Sequence, residues 1–162
     1  MSMITIVYAV PQAAAERLEQ DADFFDEVTQ FDNSDFSSCS LEKAWHGLHF
    51  LLTGQADEAS APLGFILSGG KELPETDGGY GPARLFTADE TRDISAALSA
   101  LSGEQLWSRF DETKMTDEGV YPSIWDEPEA DLRDEYVTYF RELRKFLKFA
   151  AADGACLLVT LG

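Results

Sequence analysis

The sequence predicts an α+β fold. It is read as one domain over residues 1–162, a small mixed sheet that includes the N- and C-terminal strands, packed with about five helices. Three observations lead there. Residues 3–10, MITIVYAV, and 155–161, ACLLVTL, are short apolar runs with the composition of buried strands. The segments between them show helical periodicity and clear start signals. The length of 162 residues suits a single domain with a core large enough to need no metal or disulfide. The two terminal strands are expected to pair in the middle of the sheet.

After the first strand, Pro11 can open a helix, since its missing N–H costs little there. Residues 12–30 read as helix with Leu18, Phe25 and Val28 on one face. Asp21 falls on that face too, so a break is expected there, with Asp21 capping a second helix. Residues 31–40, FDNSDFSSCS, read as a polar loop. Residues 41–52 read as a helix ended by Gly54. Residues 55–83 are rich in Gly and Pro and read as irregular, apart from the apolar run PLGFIL. RLFT, 84–87, is a short strand, and Thr87 with Glu90 forms a capping box for a helix to about Leu101. Ser102 with Gln105 forms a second box, opening a helix to about Phe110. Residues 111–127 read as irregular. The last helix, about Pro128 to Ala152, has an apolar stripe of Leu132, Tyr136, Tyr139, Leu143, Leu147 and Ala150. Its acids gather at the start and its bases at the end, which complements the helix dipole.

The charge is the unusual feature. Twelve Lys and Arg face thirty Asp and Glu, a formal net charge of −18. Such a surface repels phosphates, which argues against nucleic acid and against anionic membranes. It favours solubility and steers basic partners. The N-terminus lacks the basic start and cleavage pattern of a signal peptide, and no run reaches the roughly 18 apolar residues of a membrane span. The expected compartment is the cytoplasm. Cys39 and Cys156 are too few for a disulfide framework, and neither has an activating cation beside it in sequence.

Both histidines lie in one stretch, LEKAWHGLHFLLTG, residues 41–54. On a helix turning about 100° per residue, Leu41, Trp45, Leu48 and Leu52 form the buried face. His49 sits about 80° from Leu41, at the core's border, and His46 about 140° away, toward water. The pair does not match the zinc pattern of histidines four apart with Glu after the first, nor a di-iron pattern with Glu three before His. No metal site is therefore assigned. His49 could act as a general base near neutral pH, but no nucleophile elbow or phosphate loop accompanies it. The favoured reading is structural: a half-buried ring that packs while one nitrogen bonds a neighbouring loop.

Three motifs carry a resemblance. KAWHGLHFLLTG (43–54), GYGPARLFTADE (79–90) and GVYPSIWDE (119–127) resemble, in this order, the signature segments of the YfbM-like family, small bacterial proteins of unknown function. The resemblance covers nearly the whole chain and implies an α+β fold and a bacterial source. The family pattern centres on Lys43, Trp45, Leu48, His49, Leu52, Thr53 and Gly54. His46 is not a required part of it, and Ala83 stands where a second Pro is common. No activity and no cofactor are implied.

The motifs nominate His49, Tyr80, Arg84, Tyr121 and Trp125 as residues that converge on one cleft. There Arg84 would offer a planar cation to a carboxylate or phosphate. The competing reading is that Tyr and Trp anchor loops to the core. The first functional expectation is a non-catalytic acidic module that binds a basic protein, immunity-type or regulatory; the alternative is a small enzyme or ligand binder using that cleft.

Overall fold

The computed structural model describes residues 2–30 and 35–162. Its strands are β1 (Thr5–Val10), β2 (Ser38–Glu42), β3 (Lys71–Leu73), β4 (Ala83–Phe86) and β5 (Cys156–Leu161). Its α-helices are α1 (Gln12–Gln20), α2 (Ala22–Thr29), α3 (Trp45–Thr53), α4 (Ala88–Ser99), α5 (Gly103–Trp107), α6 (Glu112–Asp117) and α7 (Glu129–Ala152). Short 3₁₀ turns cover Leu63–Ile66 and Pro74–Thr76. No helix among these residues is long and apolar enough to cross a membrane.

The terminal strands lie at the centre, as expected, in the order β2-β1-β5-β4-β3. All four pairings are antiparallel, so the sheet is not mixed. Period-two alternation sorts the core onto two faces. Val7, Leu157, Val159 and Phe86 point to one side, under the apolar stripes of α3, α4 and α7. Tyr8, Val10, Leu158 and Leu85 point to the other, under Ala14 and Leu18 of α1 and Phe24 and Val28 of α2.

Local signals hold where a cap decides the structure. Asp21 accepts from the Asp23 N–H between α1 and α2. Thr87–Glu90 and Ser102–Gln105 both form complete capping boxes. Five expectations need correction. Leu41 and Glu42 belong to β2, not to α3: Leu41 is needed as a fully buried strand residue, and Glu42, at φ +46°, ends the strand. The loop expected over 31–40 therefore gives way to strand at Ser38, while 31–34 lie outside the described residues. Part of the segment expected to be irregular forms β3 by pairing with β4, and Asp111 caps the unexpected α6. On α7, Phe140 rather than Tyr139 completes the buried stripe, because the stripe drifts around a helix this long.

The contact of α3 with α7 depends on Gly47. A Cβ there would lie 2.5 Å from Tyr136 Cε1 and 2.6 Å from Trp125 Cη2. Gly to Ala in an exposed helix stabilises by roughly 0.5–1 kcal/mol. Here Gly47→Ala is expected to destabilise by about 1–3 kcal/mol in urea denaturation, as overpacking does. A stabilised variant would contradict this packing.

Candidate functional site

Helix α3 leads into a segment with little regular structure, so many backbone carbonyls there have no ladder partner. Basic side chains take their place. At the end of α3, Arg109 donates to Leu51 O and Leu52 O, and Lys114 to Gly54 O. Cations at a helix C-terminus satisfy its last carbonyls and oppose its negative end. Further along, His46 Nε2 bonds Ala56 O at 2.7 Å and His49 Nε2 bonds Asp57 O at 2.6 Å. Arg84, from β4, donates to Ile66 O, Ser68 O and Gly69 O.

The carbonyl partners fix the histidine tautomers, because a carbonyl can only accept. Both rings carry their proton on Nε2. His46 Nδ1 then accepts from the Tyr121 N–H at 2.9 Å, so this ring joins α3 to two loops. His49 is fully buried, and its Nδ1 has no partner among the described residues. Burial holds its pKa below the ordinary imidazole value; the hydrogen bond to the Asp57 carbonyl opposes this, and the charge of Arg84 adds to it. His49 is therefore neutral in the fold.

The five nominated residues divide. Tyr80 and Arg84 line one small cleft of about 200 Å³ with Glu72 and Val159. His49 lies buried, facing the same carbonyl-rich segment as Arg84. Tyr121 and Trp125 lie elsewhere. Tyr121 stacks on Trp45, with centroids 5.7 Å apart, and its hydroxyl accepts from the Met3 N–H. Trp45 Nε1 donates to Met3 O, so the two rings together clamp the chain just before β1. Trp125 is buried against Tyr136, and its Nε1 donates to Val120 O. Arg84 turns both terminal nitrogens to carbonyls. Burial works against its charge and lowers its pKa to about 10, while Glu72 and Glu58 offset this, so it stays a cation.

His46 was expected to lean toward water, and Arg109 and Lys114 lie outside the three motifs. The helical angle of His46 is as expected, but loops around Ala56 and Tyr121 cover that side. No sequence signal marks Arg109 or Lys114 as partners of α3, since they lie over fifty residues away. Cys39 is half-buried on β2, and burial with the Glu142 charge pushes its thiol up to about 11, away from nucleophilic use. No group of three or more metal-ligating side chains occurs among the described residues.

The family model for a domain of unknown function, DUF1877, matches residues 1–160. The chain belongs to the DUF1877 family. The fold is similar to the crystal structure of YfbM from Escherichia coli, a protein of unknown function. That match has a TM-score of 0.77 at 19% identity and covers 98% of this chain and 99% of that one. At this identity the likeness concerns the fold alone. A search of curated proteins finds no match.

Two stability measurements check the histidine assignments. His46→Ala leaves Ala56 O and the Tyr121 N–H without their partner, so a loss of about 2–4 kcal/mol is expected in urea denaturation. A loss below about 0.5 kcal/mol, the level of a surface change, would contradict the double bond. For His49, the depressed pKa sets a sign. As pH falls below about 6.5, the unfolded chain binds a proton that the folded chain refuses, so stability declines. His49→Gln should remove that part of the decline between neutral pH and mild acid. Equal slopes for variant and parent would refute a neutral buried His49.

Proposed function

We propose that this chain is a non-catalytic binding module that captures a basic protein, as an immunity-type or regulatory protein does, in the bacterial cytoplasm. One observation carries the reading. The fold directs Arg84, Arg109, Lys114 and Arg144 at backbone carbonyls instead of carboxylates. Among the described residues, the ion pairs are those of Arg17, Lys71 and Arg92. Few surface carboxylates thus have a cation at contact distance, and the net charge of −18 stands as a field around the chain. Such a field raises association rates with basic partners and weakens with salt. The free thiols of Cys39 and Cys156 and the Escherichia coli source of the similar structure support the setting.

The cleft alternative has less support. His49 gives Nε2 to a carbonyl, and the Arg84 fork is occupied.

The test is affinity capture from lysate of the host organism at about 0.05 and 0.15 M salt. The control replaces the exposed Asp117, Glu118, Asp126 and Asp134 by their amides. Basic proteins should be retained by the parent, less at higher salt, and less by the control. Retention of no protein, or retention indifferent to salt and to neutralisation, would overturn the reading.

A further inference from the structure

A separate cleft is lined in part by Ser68 and Gly69, whose carbonyls accept from Arg84. It has a volume of about 450 Å³, within the roughly 300–1,000 Å³ of small-molecule sites. Its floor is apolar. Phe65 and Phe86 meet edge to face, 6.5 Å between centroids, with Ile94 of α4 beside them and Pro62 at one wall. Gly69, at φ +80°, has no side chain to cover the Phe86 ring, whose Cε1 a Cβ would approach at 3.5 Å.

The charged side chains lining this cleft have one sign. Glu90 and Asp93, three apart on α4, share its rim. Glu90 uses one oxygen on the Thr87 N–H within the capping box. Asp93 forms no ion pair among the described residues. No Lys or Arg lines the cleft. Arg84, 5.5 Å from the Phe86 centroid, is held by carbonyls and balanced by Glu72 and Glu58.

We propose that this cleft binds a small amphipathic organic cation, an amine or guanidinium on an apolar body. The carbon body would sit on Pro62, Phe65, Phe86 and Ile94, and the charged head would meet Asp93 and Glu90. Charge decides between ligand classes. A cation gains charge-assisted hydrogen bonds from both carboxylates. A neutral ligand of the same shape strips water from them without replacing it. An anion is repelled by the rim and by the field of the whole chain. The proposal does not depend on the basic-partner reading, since it concerns a small molecule at a defined cavity.

The test is a titration of the full chain, followed by NMR of the Ile94 methyls and the Phe65 and Phe86 ring protons. The probes are phenethylamine, phenethyl alcohol and phenylacetate, alike in shape and different in charge. Phenethylamine should shift these signals and bind about ten-fold or more tightly than the alcohol, a difference of about 1.4 kcal/mol. Phenylacetate should leave them unmoved. Asp93→Asn should remove most of the preference for the amine. Glu90→Gln should weaken it too, because Gln keeps the capping box and hence α4. Ala96→Phe, on the exposed face of α4 at the rim, should block the amine while leaving both carboxylates. Three results would overturn the proposal: no shifts with the amine, equal binding of amine and alcohol, or a preference unchanged in Asp93→Asn and Glu90→Gln.

Discussion

The structure depends on how the carbonyls between Leu51 and Gly69 are satisfied. This segment joins α3 to β3 with only one 3₁₀ turn of its own. A buried carbonyl left without a donor costs about as much as a lost hydrogen bond. Five basic side chains from α3, β4, α5's end and α6 supply the donors: His46, His49, Arg84, Arg109 and Lys114. They fix where the segment runs. Its Arg84-bound stretch lines two clefts, one through Ile66 and Leu67 and the other through Ser68 and Gly69.

This arrangement links the interior to the surface. A chain with twelve Lys and Arg against thirty Asp and Glu has few cations to distribute. Spending several on carbonyls leaves the carboxylates to repel one another, which disfavours the compact state. The apolar core offsets that repulsion. Leu41, Leu48, Leu51, Leu52, Leu143 and Leu147 are fully buried, each contributing about 1.5–3 kcal/mol by transfer from water. What results is an acidic body whose two histidines bond to backbone carbonyls of its own chain.

The sequence shows most of the fold and little of the site, for a physical reason. Elements set by local chemistry are legible: the capping boxes at Thr87 and Ser102, the break at Asp21, the terminal strands and the stop at Gly54. Elements set by pairing with distant residues are not. Ser38–Glu42 looks like polar loop running into helix until β1 supplies its partner, and Lys71–Leu73 until β4 does. The site follows the same rule. The periodicity of α3 placed His49 beside the core, but the Tyr121 and Ala56 contacts of His46 come from chain segments that no helical wheel contains. The motif residues Tyr80, Arg84, Tyr121 and Trp125 do lie in or beside loops. Their spread over two regions follows from the sheet order, which the spacing of motifs does not encode.

Both histidines are structural donors to carbonyls, each with its proton on Nε2. Long-range ¹H–¹⁵N correlation NMR of the two imidazoles reads this directly, since it separates the tautomers and reports protonation. Nε2–H signatures are expected for both rings at neutral pH, with His49 still neutral as the pH falls below about 6.5. An Nδ1–H tautomer on either ring, or a His49 that titrates like a free imidazole, would contradict this assignment.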